Sequence, residues 1–504
     1  MIKNLKSDCI FCISKYKKLS LSTYSVVKKT LAILSSALFL NSVCTAADIE
    51  LPVLGDSSSG IVSKSQEYKL GKTLLQAFRR QVSQYDDPLL QAYLERLVFD
   101  LANYSELQDS RLTVLVVNNP TFNAFAMPGG IVGLNTGIFA YSDNEDQLVS
   151  IIAHELAHLS QRHFARGVEA RRNASLISMA GMLSTMVVSS TEGTDAGLAA
   201  LSATQALTLE QQLRYSRSNE QEADRIGLKT MTRAGRDPDA VADMLDNLQS
   251  LSRYNSIKVP EFLRTHPLTQ KRVADAKLRT YQNTMRHYPD NPEFYIMQAR
   301  VQVALHNNAT RSIKHFNAQL ASNTQHTEAA YYGLALAHLK NKSFKQAAAI
   351  IDKLLAKRPD YLPFLYADIE INIAAKNYQS ALDTIERQLK FNSKNYPLRV
   401  LKADALWKAH NYEKSAEVLT SLTKTRHEDH MIWYMLAEVR GLAGDISGVH
   451  RARAEYFVLI GAISNARKQL EYAAKLLAAD FKKLSIVKKR LADIAIMEKS
   501  LGRL

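Results

Sequence analysis

The chain has very little cysteine. Its 504 residues include three, Cys9, Cys12 and Cys44, and all of them lie in the N-terminal leader. Once a leader ending near Ala47 is removed, no cysteine remains. This excludes a disulfide framework and a catalytic thiol, and it suits a protein that works in an oxidising compartment.

The chain also lacks an apolar run long enough to cross a membrane. The candidates at 30–40, 174–188 and 197–209 all fall short of the roughly 20 residues that a spanning helix needs. The last two are interrupted by Ser, Thr, Gly or Gln, which favours amphipathic or packed helices near the active cleft. We expect them to form a lid or an element that touches a membrane surface.

Residues 1–47 are typical of a signal peptide. Two lysines precede the apolar segment at 30–40 and small residues follow it, so we expect cleavage just before Ala47 or Asp48 and export to the periplasm. The region ahead of the apolar segment is unusually long, and an uncleaved leader that anchors the protein in the inner membrane is the alternative interpretation.

Acidic residues are fewer than basic ones, but this imbalance shrinks once the leader is set aside. The formal net charge is +15, of which the leader contributes +6 and the mature part about +9. Because no nucleic-acid-binding motif accompanies this charge, we expect no nucleic-acid partner. We expect a solvated basic surface that can contact an anionic membrane peripherally.

What the sequence does contain is the motif HELAH at 154–158. On a helix, residues four apart share a face, so His154 and His158 can bind one metal ion. Glu155 lies beside them, where it can take a proton from a metal-bound water that attacks a peptide carbonyl. His163 is turned off this face, so a third ligand must come from elsewhere. Two surface histidines are the alternative for an isolated motif.

Local signals predict a helix around this motif. Apolar residues recur at helical spacing from Glu145 to Arg166, and Ser142 followed by Glu145 predicts a capping box at the start of the helix. The motif then falls in the middle of the helix with apolar residues behind it, as a buried metal site requires.

A second motif supplies carboxylates. Glu220 and Asp224 are four residues apart and share a helix face, while Glu222 points roughly the opposite way. One carboxylate can complete a zinc site of two histidines and a glutamate, and another can hold the far ring nitrogen of a ligand histidine. A solvated acidic face is the alternative, but after the HELAH motif we prefer the metal site.

Both motifs, together with the segment NAFAMPGGIVGLNTG at 123–137, resemble the HtpX/Ste24-type gluzincin metallopeptidases over about residues 65–275. The resemblance implies that the two motif histidines and Glu220 bind one Zn²⁺ per subunit. It also implies that Glu155 is the base and that Asp224 supports a ligand histidine.

The segment before the active helix predicts two strands. Residues 112–118 are β-branched and apolar, which indicates a buried strand, and Pro128-Gly129-Gly130 indicates a turn. We expect Ile131–Asn135 to form an edge strand to which an extended substrate adds by backbone hydrogen bonds. An ordinary core hairpin is the alternative.

His266 is a further candidate for the site. It precedes a proline, which biases its backbone towards an extended conformation from which the ring can reach the metal. It can stabilise the oxyanion, occupy the open metal position and keep the enzyme inactive, or serve only as a structural histidine.

The second half of the chain repeats at a spacing of 34. Phe344, Tyr378 and Tyr412 fall in register, and each opens a predicted second helix of a pair. The period predicts tetratricopeptide hairpins that stack into a curved solenoid with a concave face for binding proteins. Segments at 294–320 and 463–466 indicate degenerate terminal repeats. A generic helical bundle is the alternative.

We therefore predict a mostly α protein. The signal peptide covers 1–47, an α+β zincin-like metallopeptidase domain covers 48–285, and an α-solenoid of tetratricopeptide repeats covers 286–504.

The combination predicts a periplasmic zinc metalloendopeptidase whose repeats bind protein substrates. The family resemblance implies outer-membrane β-barrel precursors and the β-barrel assembly machinery as partners, with degradation of misassembled precursors and a chaperone activity towards maturing ones. Two alternatives stay open. One is a non-proteolytic periplasmic chaperone or scaffold, and the other is a quality-control protease anchored in the inner membrane.

Overall fold

The computed structural model describes residues 62–170, 217–254, 261–280, 288–322 and 324–501. All of them belong to one compact unit. The predicted leader, the predicted domain boundary and the two apolar stretches at 174–188 and 197–209 lie outside these ranges. None of the helices that the structure describes has the length and apolar character of a membrane span.

The first half of the described chain combines helices with a small sheet. Its elements are α1 (Lys64–Gln81), α2 (Pro88–Ala102), β1 (Thr113–Val117), β2 (Ala124–Met127), β3 (Ile131–Asn135), α3 (Ile138–Tyr141), α4 (Glu145–Ser160), α5 (His163–Ala170), α6 (Arg217–Arg233), α7 (Asp239–Tyr254), α8 (Glu261–Thr265) and α9 (Gln270–Thr280).

The sheet has the order β1-β3-β2, with β1 parallel and β2 antiparallel to β3. The predicted strand at 112–118 is confirmed as β1. The prediction that Ile131–Asn135 is an edge strand is wrong, because β3 pairs on both sides and is buried throughout. Hydrogen bonds from the Tyr85 amide to Val116 O (2.8 Å) and from the Asn118 amide to Ser83 O (3.0 Å) cover the outer edge of β1. The free edge of the described sheet is therefore β2.

The β2–β3 turn follows the prediction from Pro128-Gly129-Gly130. Gly129 and Gly130 have φ of 82° and 83°, a left-handed backbone that favours glycine. A Cβ atom on Gly130 would lie 2.1 Å from Arg111 O. Glycine is required here both for the backbone conformation and for the close approach to the preceding loop.

Helix α4, which carries the HELAH motif, begins and ends differently from the prediction. Its N-cap is Asn144, whose side chain accepts from the Gln147 amide at 2.9 Å, so the predicted capping box at Ser142 is wrong. The Ser142 hydroxyl instead donates to Ile138 O at 3.0 Å. The predicted continuous helix to Arg166 is also wrong, because α4 ends at Ser160 and α5 begins at His163. Sequence periodicity could not detect this break, since the apolar pattern continues across it.

Helix α6 lies directly against α4, and Gly227 makes this possible. A Cβ atom at Gly227 would lie 3.2 Å from the Ala153 carbonyl carbon and 3.2 Å from the His154 nitrogen. Contacts this short leave no room for a side chain between the two backbones. The carboxylates of α6 are thereby brought within reach of the histidines of α4.

The second half is an array of antiparallel helix pairs, as the repeat register predicts. Its helices are α10 (Pro292–Leu305), α11 (Ala309–Ala321), α12 (Thr327–Lys340), α13 (Phe344–Lys357), α14 (Leu362–Ala374), α15 (Tyr378–Phe391), α16 (Tyr396–Lys408), α17 (Tyr412–Thr425), α18 (His430–Leu442), α19 (Ile446–Leu459), α20 (Ile463–Leu476) and α21 (Phe481–Leu501).

The turn inside each central pair repeats with the same period of 34. Lys342, Lys376, His410 and Gly444 have φ of 60°, 66°, 61° and 78°, and each stands two residues before a second helix. Each closes the preceding helix as a Schellman-type cap. The register continues to Ile446, which opens α19 exactly one period after Tyr412, so the pair α18–α19 is a repeat that the sequence analysis missed. The segment at 463–466 opens α20, the first helix of the last pair.

The array contacts the first half of the described chain at two distant places. At its start, the Gln298 side chain of α10 donates to Phe139 O at 2.7 Å. At its far end, the Arg80 guanidinium of α1 donates to Gly461 O at 2.7 Å. The helices α1 and α2 therefore lie between the two ends of the array.

A buried cluster of charged side chains also links the array to α2. Arg300 of α10 binds Asp87, the N-cap of α2, and also contacts Glu370 of α14 (2.6 Å) and the Tyr332 hydroxyl of α12 (3.2 Å). The first helices of three successive pairs thus meet at the Arg300 side chain, which alone of the three contacts Asp87. The face of the array that these helices line is turned towards the first half of the described chain.

Candidate metal centre

Four side chains from three segments converge at the middle of α4. His154 and His158 lie one turn apart on α4, Glu220 comes from α6, and His266 follows α8 directly; all four are at most 5% exposed. The ligand-type atoms of these four residues lie within 4.8 Å of one another.

The separations between these atoms provide a test of whether they could hold a metal ion. Nε2 of His154 lies 3.1 Å from Nε2 of His158 and 3.3 Å from Nδ1 of His266. The Glu220 carboxylate lies 3.1 Å from His266 Nδ1, 3.4 Å from His154 Nε2 and 3.5 Å from His158 Nε2. Donors bound about 2.1 Å from a tetrahedral ion lie about 3.4 Å from one another. The four donors therefore fit a tetrahedral metal site.

The chemistry of the donor set leads to the same conclusion. Three ring nitrogens and a carboxylate in a buried space bring several lone pairs together, an arrangement that needs a proton or a cation between them. Burial alone would lower the pKa of His154, but the Asp224 and Glu220 carboxylates raise it to about 9. Burial and the neighbouring His154 hold the pKa of His158 well below its usual range. Nitrogen and oxygen donors of this kind suit zinc.

Asp224 lies behind His154, as the sequence analysis expected for a carboxylate one turn beyond Glu220. Its Oδ1 is 3.1 Å from His154 Nδ1, the ring nitrogen that faces away from the other donors. This contact fixes the ring orientation and leaves Nε2 directed at the centre.

Arg272 of α9 is a site residue that sequence reasoning missed. It is 3% exposed, and its guanidinium binds both Asp224 oxygens (2.7 and 2.8 Å) and Glu220 Oε2 (2.9 Å). It also donates to Pro267 O at 3.0 Å. Burial would raise the pKa of Asp224, but these hydrogen bonds hold it below its usual range. No local motif marks this arginine, because its partners lie about 50 residues away along the chain.

Glu155 lies next to the donors but is not one of them. Its side chain is completely buried, and its carboxylate oxygens have no hydrogen-bond partner among the described residues. His266 Nε2 lies 3.5 Å from Glu155 Oε1. Burial raises the pKa of Glu155, while the nearby His266 and His154 oppose the shift, and the Ala126 amide of β2 faces the carboxylate without meeting hydrogen-bond geometry. An orphaned carboxylate beside a metal site can bind and deprotonate a water.

His266 is brought into the site, as its position before Pro267 suggested. The short helix α8 ends in front of it, and the His266 amide donates to Phe262 O at 2.7 Å. The Phe262 ring stacks on the imidazole with centroids 4.6 Å apart. The ring therefore has a fixed orientation, with one nitrogen facing the donors and the other facing Glu155.

His163 and Glu222 also belong to the site, although the sequence analysis placed both outside it. His163 Nδ1 lies 2.7 Å from His158 Nδ1, and His163 Nε2 lies 3.1 Å from Glu222 Oε2. Glu222 points away from the donors, as predicted, but it reaches them indirectly. The break between α4 and α5 is what turns His163 back towards His158.

Comparison with known families matches residues 88–280 to peptidase family M48. The chain is also similar along most of its length to proteins named beta-barrel assembly-enhancing protease. It is 30% identical to the one from Escherichia coli K12 over 89% of this chain and 92% of that protein. The protein of the same name from Yersinia pestis is 29% identical over 86% and 91% of the two chains.

A further relative matches a smaller share of the chain. The mitochondrial metalloendopeptidase OMA1 of Schizosaccharomyces pombe is 30% identical over 39% of this chain and 57% of that protein.

Proposed function

The chain belongs to peptidase family M48 and is a metalloendopeptidase, and on that premise we propose that it is a zinc enzyme of the periplasm that degrades misassembled outer-membrane β-barrel proteins. The proposed ligands are His154, His158 and Glu220, with Glu155 as the base. The observation that carries the chemistry is the completely buried Glu155 carboxylate, which has no hydrogen bond among the described residues, beside four donor atoms that lie within 4.8 Å of one another.

Each residue contributes a separate part of the reaction. A bound zinc ion would acidify a water and polarise the scissile carbonyl. Glu155 takes the proton from the attacking water and then transfers it to the amide nitrogen that leaves. Asp224 and Arg272 keep the ligands His154 and Glu220 in position.

The free edge of β2 is the element best placed to hold the substrate backbone. The Asn135 amide donates to Asn123 O, and every second residue of an antiparallel pair bonds its partner strand. By this alternation, Phe125 and Met127 are the residues of β2 that bond to β3. The amide and carbonyl of Ala126 then face outwards, on the side of Glu155. An extended peptide that adds to this edge would place a carbonyl beside the base, with little selection for side chains.

His266 gives the site a second state. Four protein donors fill a tetrahedral coordination sphere, whereas a catalytic zinc keeps one position for water. The contact between His266 Nδ1 and the other donors therefore supports a resting form in which this ring blocks the water position. His266→Ala would then retain zinc and hydrolyse an unfolded substrate faster. Unchanged zinc content together with unchanged proteolysis would show that His266 is only structural.

The proposed clients follow from the names of the relatives and from the repeat array. The two long relatives are named for β-barrel assembly, which takes place in the bacterial envelope. The repeats would hold such precursors or their assembly machinery while the β2 edge presents a segment to Glu155. The intact base and ligand set argue against a scaffold that has lost its chemistry.

The test is substrate capture with Glu155→Gln in the periplasm. This change keeps the size of the side chain and removes the base, so bound clients should accumulate uncut. Crosslinking followed by mass spectrometry should recover outer-membrane β-barrel precursors, and the doubly changed Glu155→Gln/His158→Ala chain serves as the control for metal-dependent capture. Recovery of cytosolic proteins alone, or full complementation by Glu155→Gln, would contradict the proposal.

A further inference from the structure

The two motif histidines are supported in different ways. His154 Nδ1 faces a carboxylate, Asp224, at 3.1 Å, whereas His158 Nδ1 faces the Nδ1 atom of a third imidazole, His163, at 2.7 Å. The His163 ring is fully shielded from solvent, and its other nitrogen lies 3.1 Å from Glu222 Oε2. A ring-to-ring hydrogen bond in a buried space requires that one nitrogen donates and the other accepts.

The protons on these rings can be assigned by elimination. If His158 Nε2 binds a metal, that nitrogen carries no proton, so the neutral ring has its proton on Nδ1 and donates from there. His163 Nδ1 must then be the acceptor and carry no proton. The proton of a neutral His163 is consequently on Nε2, where the Glu222 carboxylate accepts it.

The local backbone is built to produce this contact. Helix α4 ends at Ser160, and Arg162 has φ of 50°, a conformation that is unfavourable for a residue with a side chain. The Arg162 guanidinium is held by Glu67 (2.8 Å) and by Val62 O (2.6 Å), both at the start of α1. Because of this turn, His163 at the start of α5 lies beside His158. In a continuous helix, a residue five positions beyond His158 would lie on a different face.

Glu222, the last residue in this series of contacts, is also held in place. Glu222 Oε2 accepts from Arg166 Nη1 at 2.9 Å as well as facing His163. Helix α6 therefore supplies Glu220 to the donor set and, two residues later, Glu222 to the support of His158. One helix thus determines both a ligand and the orientation of another ligand.

We propose that His163 is a positioning residue for the metal site, and that it holds His158 as the Nδ1–H tautomer through a neutral imidazole oriented by Glu222. This series of contacts, from Glu222 through His163 to His158, is called the relay. The relay fixes the plane of the His158 ring and leaves its Nε2 lone pair directed at the other donors. Because His163 is a neutral acceptor, it adds no further negative charge close to the carboxylates of Glu220 and Glu155. This inference rests on the proposed metal site.

The first test measures zinc affinity by competition with a chromophoric chelator in the purified full chain. His163→Leu should weaken binding by about 10- to 100-fold, as expected when the support of a ligand histidine is lost. His163→Asn places an amide oxygen near the position of Nδ1 and should recover most of that loss. Glu222→Ala should weaken binding by less than His163→Leu does.

The matched control is Glu106→Ala. Glu106 also joins the end of α4 to α6, through Gln161 (3.0 Å) and Lys229 (3.0 Å), and no hydrogen bond or ion pair links it to a histidine within the described ranges. Its loss should leave zinc affinity within twofold of the unchanged chain. An affinity of His163→Leu within twofold of the unchanged chain, or a His163→Asn protein as weak as His163→Leu, would overturn the relay.

The second test reads the tautomers directly. Imidazole ¹⁵N shifts of the zinc-loaded protein should show a proton on Nδ1 of His158 and on Nε2 of His163, and the opposite assignment would overturn the proposal. Failure of the metal site itself is distinguishable. Retention of zinc by His158→Ala would contradict the site, whereas loss of zinc there together with normal affinity in His163→Leu contradicts only the relay.

Discussion

Asp87 is the residue whose replacement tests the contact between the two halves most sharply. Its Oδ1 caps α2 by accepting from the Leu89 and Leu90 amides at 3.1 and 3.0 Å. Its Oδ2 accepts from Arg300 of α10, a side chain that is only 7% exposed. One carboxylate therefore serves a helix of the peptidase half and a buried cation of the repeat array.

Two substitutions separate these roles. Asp87→Asn keeps an acceptor for the helix cap but removes the negative charge. Removal of one partner from a buried ion pair costs about 3–5 kcal/mol, and since Glu370 still contacts Arg300 we expect the lower end of that range. Asp87→Ala also loses the cap, which adds about 1 kcal/mol. The predicted losses of unfolding free energy are therefore about 3 and about 4 kcal/mol.

Urea unfolding of the full chain, followed by circular dichroism, measures these losses. Asn308→Ala is the control, because Asn308 caps α11 through the Thr310 amide (2.8 Å), and it should cost only about 1 kcal/mol. A loss below about 1 kcal/mol for Asp87→Asn would refute the assignment of a stabilising buried contact between the halves.

Three further predictions concern the helices and their turns. Lys376→Gly should stabilise the chain by about 0.5 kcal/mol, because glycine relieves the left-handed strain, whereas Gly444→Ala should destabilise it by about 1 kcal/mol; thermal unfolding compares the two. Gly227→Val should separate α6 from α4 and abolish zinc binding in a metal-content assay, since even a Cβ atom there meets backbone at 3.2 Å. Burial and the nearby Arg79 lower the pKa of His430 to about 3, so the unfolded chain takes up a proton below its ordinary pKa of 6.5 while the folded chain does not. Stability is consequently lost as pH falls from about 6.5, by about 2 kcal/mol at pH 5, and His430→Gln should remove that part of the pH dependence in urea unfolding.

The metal centre shows which spatial arrangements of residues can be predicted from the sequence. His154 with His158, and Glu220 with Asp224, are pairs within one helix, so a spacing of four residues was sufficient to place each pair on one face. Arg272 and Glu222 act across the space between helices, where no spacing rule applies. His163 was placed off the metal-binding face because a continuous helix was assumed, and the left-handed Arg162 is what changes that geometry.

The sheet and the array show the same limit. Local composition predicted β1, β3 and the glycine turn between β2 and β3, but strand order depends on pairing between distant segments, and β3 proved to be central. The 34-residue register predicted the helix pairs because each repeats the same local packing. The repeat that begins at Ile446 was not detected in the sequence, because it lacks both the aromatic residue at the start of the helix and the small residue three positions later.

The central claim is that His154, His158 and Glu220 hold a zinc ion for which Glu155 is the base and not a ligand. The metal-to-protein ratio of purified chains, measured by inductively coupled plasma mass spectrometry, tests it most directly. The account predicts one zinc per chain in the unchanged protein and in Glu155→Gln, and almost none in Glu220→Ala or His154→Ala. Full zinc content in Glu220→Ala, or loss of zinc in Glu155→Gln, would contradict it.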